Sequence, residues 1–274
     1  MLAALLIVFR EVLEAGLIVG IVMAATEGVA GRGRWIAGGV GAGVLGAALV
    51  AVFAQRLSDA FAGAGQDVFN ASILIAAVLM LGWHVVWMSH HARELSRDMK
   101  ALGRSVSAGE RPLIAMAVVV AVAVLREGAE VVLFLYGIAA SGGTQPVTML
   151  IGGLAGLGAG AAVAWLLYRG LLVIPAGKLF SVTNTLVGLL AAGMAGQAAV
   201  YLAKANLLPS LGDELWDTSR ILPDDGLLGR ALHAMFGYSD RPMGVQALAY
   251  LAALIVLAAL ARGLRTRPGP KVAA

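Results

Sequence analysis

The sequence predicts an all-α integral membrane protein with seven transmembrane helices. The chain of 274 residues is 60% hydrophobic and only 13% charged, whereas soluble domains carry about 25% charged residues. Seven stretches reach the roughly 20 mostly apolar residues that a spanning helix needs. They are residues 2–25, 35–55, 69–89, 113–139, 148–170, 182–203 and 244–262.

These seven stretches leave no room for a soluble domain, so residues 1–274 form a single membrane domain. The longest connection, residues 204–243, has space for one or two short helices. Cysteine is absent, which excludes disulfides and thiolate metal sites. The first charges, Arg10 and Glu11, interrupt the N-terminal apolar run. A signal peptide has an uninterrupted apolar run, so we expect residues 2–25 to be a retained transmembrane helix.

The distribution of basic residues predicts the orientation in the membrane. With the N-terminus outside, the cytoplasmic segments contain thirteen Lys and Arg residues and the outer segments five. The positive-inside rule therefore favours an outer N-terminus and a cytoplasmic tail at 263–274. The net charge of +4 is accounted for by these basic loops, so nucleic acid is not an expected partner. Acidic residues concentrate in the outer segment 204–243.

The chain also contains an internal repeat, with one copy at about residues 1–90 and the other at about 113–203. A charged motif opens each copy, and Arg10 and Arg126 are equivalent positions in the two motifs. A helix rich in Gly and Ala follows the motif in both copies. Three helices per copy place consecutive copies in opposite orientations, which predicts an inverted-topology repeat with a site near the membrane midplane. The seventh helix stands outside the repeat.

Each motif has the pattern Arg-Glu-x-x-Glu near the middle of a predicted span. Residues three or four apart share one face of a helix, and charges at this depth face a bundle interior or a wet cavity. Arginine–glutamate pairs that lock two helices would explain one glutamate per motif and leave the second unexplained. Together the motifs have an excess of negative charge, which predicts a site for a hard cation. The predicted ligands are Glu11, Glu14, Glu127 and Glu130, and the pairing arginines are Arg10 and Arg126.

The motifs REVLE, from Arg10 to Glu14, and REGAE, from Arg126 to Glu130, resemble those of the oxidase-dependent iron permease family. This family includes the fungal high-affinity iron permeases and the bacterial EfeU-type permeases. The resemblance implies import of iron, as Fe³⁺ or Fe²⁺, across the plasma membrane, which is the inner membrane in bacteria. It also implies glutamate ligands, no organic cofactor, and a partner that is a ferroxidase or a periplasmic iron-delivery protein. The first motif departs from the family pattern at Val12, where the family has glycine. The second motif keeps the glycine, as Gly128.

Several further residues have two interpretations. His84 would line the cation path or, as the sequence favours, be a hydrogen-bonded packing histidine. Asp67 and Asn70 precede the third span and would guide cations inward, unless Asp67 caps the helix. An acidic group in the outer segment would capture metal or dock a partner, or be an ordinary solvated loop. Its members are Asp213, Glu214, Asp217, Asp224 and Asp225.

Three other functions compete with iron import. The first is transport of another heavy-metal cation, such as lead. The second is an intramembrane metal-dependent enzyme, but such a site normally needs histidines or a positioned nucleophile, and neither motif contains one. We therefore predict that the protein is not an enzyme. The third is an assembly subunit in which the motifs only clamp helices together.

Overall fold

The computed structural model describes residues 1–60, 65–140, 145–170, 176–224 and 226–265. All regular structure in these ranges is helical, which confirms the all-α class. Asp225 and the tail beyond residue 265 lie outside the described residues. The helices are α1 (Leu2–Ala25), α2 (Arg32–Ala60), α3 (Gln66–Ser107), α4 (Leu113–Ala140), α5 (Pro146–Tyr168), α6 (Ala176–Lys204), α7 (Leu227–Phe236) and α8 (Gly244–Arg265).

Each of the seven predicted spans corresponds to one of these helices, and the short helix α7 lies within the segment 204–243. Within the described ranges, α2, α3, α5 and α6 contain apolar stretches long enough to cross a membrane, and α8 contains a shorter one. Helices α1 and α4 have a similar length, but each carries one arginine and two glutamates. The charged motifs thus lie within two helices of spanning length.

Helix α3 is much longer than the predicted span 69–89, because it continues to Ser107. The extension has the sequence HARELSRDMKALGRSVS, which is rich in good helix formers and lacks proline. It ends before Gly109, whose φ of 75° is easily adopted only by glycine, and Pro112 follows. Hydropathy marks where a helix stops being apolar, and here the helix continues past that point.

The core of the bundle lies among α1, α3, α4 and α6. Buried apolar side chains of these helices form one cluster that includes Ile7, Leu74, Phe134 and Ala191. Large apolar side chains of α2, α5 and α8 are instead exposed. They include Leu45, Leu49, Phe53, Leu150, Leu154, Leu251 and Ile255. A soluble protein rarely exposes apolar patches this large, so these faces are suited to contact with lipid.

Two helix crossings hold the outer helices against the core, α5 on α1 and α2 on α4. A Cβ added at Gly156 would lie 2.5 Å from the carbonyl oxygen of Leu5, and one at Gly43 would lie 2.7 Å from the carbonyl oxygen of Ala121. Both distances are too short for a side chain. Glycine therefore permits the close backbone approach at each crossing, as in other membrane helix pairs.

The unusual residue Val12 is accommodated at one of these crossings. A Cβ at Gly160 of α5 would lie 3.0 Å from the Cβ of Val12. In the other crossing, a Cβ at Gly128 would lie 2.5 Å from the Cβ of Ala47. The motif helix carries the larger residue at the first crossing and the glycine at the second. Each contacting pair therefore contains one glycine. This exchange explains how the chain tolerates valine where its second motif has glycine.

We expect Gly128→Ala to destabilise the protein by about 1–3 kcal/mol, because overpacking a filled contact has this cost. Adding Ala47→Gly should return the free energy of unfolding to within about 1 kcal/mol of the unmodified protein, because it removes the clashing methyl group. Unfolding of the purified protein in mixed micelles measures both values.

Gly158→Ala is the matched control for this experiment, since nothing lies within 4 Å of a Cβ added there. It should leave stability unchanged. A double variant as unstable as Gly128→Ala alone would contradict the assignment of Ala47 as the residue that limits this position.

Candidate metal site

The first motif forms a buried ion pair within one turn of α1. The Nε atom of Arg10 donates a hydrogen bond of 2.9 Å to Oε1 of Glu14. The Nη1 atom of Arg10 lies 3.6 Å from Oε1 of Glu11. All three side chains are almost completely buried, and Arg10 has no exposed surface. The expected i/i+4 pair is therefore present in the first motif.

The second motif repeats this arrangement on α4. The Nε atom of Arg126 donates a hydrogen bond of 3.1 Å to Oε1 of Glu130 and lies 3.9 Å from Oε1 of Glu127. Both glutamates are buried, whereas 38% of the Arg126 side chain is exposed. The two motifs thus have the same local geometry but different burial of the arginine.

His84 of α3 joins the two motifs. Its Nε2 atom is 3.0 Å from Oε2 of Glu14, and its Nδ1 atom is 2.5 Å from Oε2 of Glu130. The first contact is a hydrogen bond, but the second lacks the alignment of one. The sequence favours a packing role for this residue, but its ring contacts a glutamate of each motif. The one sequence feature that could have placed His84 at the site is that an ionisable side chain lies within an apolar span.

Four side chains from three helices converge here. One ligand atom from each of Glu11, His84, Glu127 and Glu130 lies within 4.8 Å of the other three, and all four residues are buried. Glu14 is outside this group of atoms. The structure therefore brings together three of the four predicted ligands with His84, while Glu14 contacts Arg10 and His84.

Several buried polar atoms of this cluster make no hydrogen bond. Among the described residues, all such side-chain atoms belong to the site. They are Nη1 and Nη2 of Arg10, both carboxylate oxygens of Glu11, Nδ1 of His84, Oε2 of Glu127 and Oε2 of Glu130. Buried polar groups are normally paired, and leaving one unpaired costs about 1–3 kcal/mol. Free oxygens directed at one location are what a bound cation requires.

The charges of the site support the same conclusion. Four carboxylates face two guanidinium groups, so the motifs have a formal excess of two negative charges. A protonated His84 would still leave one in excess. Uncompensated buried charge is strongly destabilising, and a cation at the site would remove the imbalance.

Nearly the whole chain matches known proteins. The family model for the iron permease FTR1 family matches residues 1–266. This chain belongs to the iron permease family. The ferrous iron permease EfeU of Yersinia pestis is 31% identical over 264 residues, which cover 93% of this chain and 91% of the relative. EfeU of Escherichia coli O6:K15:H31 (strain 536 / UPEC) is 31% identical over 251 residues, or 88% of each chain. No solved structure matches.

Family membership decides several of the predictions. The chain is a permease for iron uptake and not an enzyme, since the family and the relatives are permeases. It is a multi-pass membrane transporter, in agreement with its apolar helices. The resemblance drawn from the paired motifs is confirmed.

The residues proposed to guide cations lie far from the site of the permease. Asp67 and Asn70 are half-buried in the first turns of α3. The seventeen residues from Asp67 to His84 correspond to roughly 25 Å of helix at 1.5 Å per residue. Gly65, not Asp67, is the N-cap of α3, so the capping interpretation of Asp67 is wrong.

The acidic residues of the outer segment make contacts with the segment itself. Asp217 accepts hydrogen bonds from the backbone N–H and the hydroxyl of Ser219, which lower the pKa of its carboxyl. Its Oδ1 atom lies 3.3 Å from Nε of Arg241, and Glu214 lies 4.0 Å from the same guanidinium. Asp213 is exposed. Within the described ranges, these residues form no group with metal-ligand spacing.

Asp224 of the same segment is tied to Asp240. Each accepts a hydrogen bond from the other's backbone N–H, at 3.2 Å and 3.1 Å. Burial raises the pKa of Asp224 above its ordinary value of 3.8, and repulsion from Asp240 adds to this effect. The ionised carboxyl is therefore disfavoured in the folded segment. The protonated carboxyl therefore stabilises the folded segment at low pH, and this contribution is lost as the pH rises through the raised pKa.

We expect Asp224→Asn to protect the outer segment at neutral pH, because asparagine keeps the acceptor oxygen without the charge. Hydrogen–deuterium exchange of the backbone amides between Thr218 and Arg241 should be slower than in the unmodified protein at pH 7. The difference should shrink as the pH falls toward 4. Asp213→Asn, at an exposed position, is the control. Faster exchange in the Asp224 variant at pH 7 would contradict the assignment.

Proposed function

We propose that the permease binds iron between its two Arg-Glu-x-x-Glu motifs and imports it. The observation that carries this proposal is the convergence of Glu11, Glu127 and Glu130 with His84, with ligand atoms within 4.8 Å. The carboxylates come from α1 and α4, the opening helices of the two repeats. Movement of these two helices relative to each other would therefore bring the carboxylates together or separate them.

The free oxygens of the site support direct contact with the metal. Glu11 has two oxygens without a hydrogen bond, and Glu127 and Glu130 have one each. Oxygen and imidazole nitrogen are both ligands that iron accepts in proteins. Arg10 holds the fourth motif carboxylate, Glu14, and offsets part of the negative charge before iron arrives.

The arrangement of the helices supports a seven-span inverted repeat. Going along the crossing of α5 on α1, Gly152 approaches Met1, Gly156 approaches Leu5, and Gly160 approaches Phe9. Residue numbers rise together, so these two helices are parallel. The same holds for α2 and α4, where Gly39 approaches Ala117 and Gly43 approaches Ala121. Exchanging the two copies converts one crossing into the other, as an inverted repeat requires.

The substrate we propose is Fe²⁺. The relatives from Yersinia pestis and Escherichia coli are named ferrous iron permeases. Carboxylates release Fe²⁺ more readily than Fe³⁺, and release toward the cytoplasm would follow rocking of one repeat against the other. We further propose that an outer partner, a ferroxidase or a periplasmic iron-delivery protein, presents iron at the segment 204–243. Cross-linking from a cysteine placed at Asp213 tests this contact, and the absence of any cross-linked iron-handling protein would contradict it.

We expect Glu11→Gln and Glu127→Gln each to lower uptake of labelled Fe²⁺ into proteoliposomes by at least about tenfold. Even groups that only support metal ligands contribute 10–100-fold to affinity or activity. Glutamine preserves side-chain volume, so packing is little changed. Glu110→Gln, an exposed glutamate in the loop between α3 and α4, should transport normally. Unmodified uptake rates in both site variants at equal membrane content would disprove the proposed site.

The absence of cysteine allows a direct test of the proposed orientation. In intact cells, a membrane-impermeant maleimide should label Asp213→Cys but not Glu110→Cys, because the first position is outside and the second is cytoplasmic. Both positions are exposed in the structure. After permeabilisation, both should be labelled. Labelling of Glu110→Cys alone in intact cells would contradict the proposed orientation and indicate the opposite one.

A further inference from the structure

We propose that His84 is a direct nitrogen ligand of the transported iron and that Glu14 is the positioning residue that orients it. This inference rests on the proposed iron site and assigns a different role to one of the four motif glutamates. The site would then contain three carboxylates and one imidazole. Two observations support the assignment, namely the contacts of the histidine ring and the saturation of Glu14.

The contacts of the ring leave one nitrogen for a metal. A neutral imidazole has one N–H donor and one nitrogen lone pair. Nε2 of His84 is hydrogen-bonded to Oε2 of Glu14 at 3.0 Å. Nδ1 makes no hydrogen bond, although it faces the equally unpaired Oε2 of Glu130. With the N–H directed at Glu14, Nδ1 keeps its lone pair and lies beside Oε2 of Glu130, one of the free carboxylate oxygens.

Glu14 differs from the other three motif glutamates because both of its oxygens are engaged. Oε1 accepts from Nε of Arg10 at 2.9 Å, and Oε2 contacts His84. The other three each have at least one unpaired buried oxygen. A carboxylate that accepts the second N–H of a metal-bound histidine fixes its tautomer and ring orientation. Glu14 has the contacts of such a group.

Glu14 is in turn held by an arginine of the same motif. Arg10 is completely buried and binds Oε1 of Glu14, while His84 contacts Oε2. The chain Arg10–Glu14–His84 therefore runs from α1 to α3 and ends at a free nitrogen among the carboxylates of α4. Arg10 and Glu14 together orient the imidazole ring, and neither oxygen of Glu14 remains available to the metal.

A nitrogen ligand changes which cations the site favours. Carboxylate and water ligands suit Mg²⁺, Ca²⁺ and Mn²⁺, whereas imidazole suits iron, zinc and other later transition metals. A site with carboxylates alone would offer little discrimination between Fe²⁺ and Mn²⁺. Three carboxylates with one imidazole favour Fe²⁺, so His84 is the proposed determinant of selectivity.

X-ray absorption at the iron edge tests both assignments in the full-length protein in nanodiscs, loaded with Fe²⁺ without oxygen. The unmodified protein should show outer-shell scattering typical of imidazole. His84→Gln should lose this signal while the carboxylates still hold iron. Glu14→Gln should weaken the signal, because the ring loses its anchor. An undiminished imidazole signal in Glu14→Gln would overturn the positioning role.

Competition binding supplies a second readout that a structural role would not change. His84→Gln should lower Fe²⁺ affinity by about tenfold or more and lower Mn²⁺ affinity much less, because only Fe²⁺ gains from the imidazole. His233→Gln in α7 is the matched control and should change neither affinity. An unchanged ratio of the two affinities in His84→Gln would overturn the ligand assignment.

The experiment separates failure of this inference from failure of the proposed function. If the unmodified protein binds iron with oxygen ligands only, the histidine assignment is wrong while the carboxylate site stands. If the unmodified protein binds no iron at these residues, the proposed site itself is wrong, and the inference falls with it.

Discussion

The structure depends on the burial of charge at the contact between α1, α3 and α4. Charged side chains inside a membrane bundle cost at least about 2.5–3.5 kcal/mol each on insertion scales, and six lie in the motifs of this chain. The arginine–glutamate pairs offset part of this cost within each helix. His84 offsets more by linking Glu14 of one motif to Glu130 of the other. What remains is a negative, partly unpaired group, and we propose that an iron ion completes it.

This burial of charge explains the architecture around it. Helices α1 and α4 carry the ionisable groups, so their charged faces must meet each other and α3 inside the bundle. Their opposite faces are covered by α5 and α2, which approach closely through glycine. Exposed apolar side chains cover the surfaces of α2, α5 and α8 and are also present on α3 and α4. The bundle thus encloses its charged motifs beside an apolar core and is apolar at its surface, the arrangement that a lipid environment favours.

The two copies of the proposed inverted repeat have the same plan but are not identical, and their differences have physical consequences. At the glycine crossings, Val12 and Gly160 exchange the roles that Ala47 and Gly128 have in the other copy. At the motifs, Arg10 is fully buried and Arg126 is partly exposed. The third helices of the two copies are α3 and α6, and of these only α3 contributes an imidazole to the site. The metal position that we propose between the motifs would therefore be asymmetric, because the arginine of the first motif is the more deeply buried of the two.

The sequence by itself determined the class of the protein, the positions of its long helices and the pairing within each motif. These properties are local, because hydropathy, helical periodicity and an i/i+4 spacing depend on nearby residues alone. It did not determine the length of α3, since a helix continues beyond the apolar segment wherever good helix formers follow. The tertiary structure alone decided that His84 meets both motifs and that Glu14 is saturated while Glu11 is not. Those facts depend on how three helices distant in the sequence rotate against one another, and no local pattern encodes that rotation.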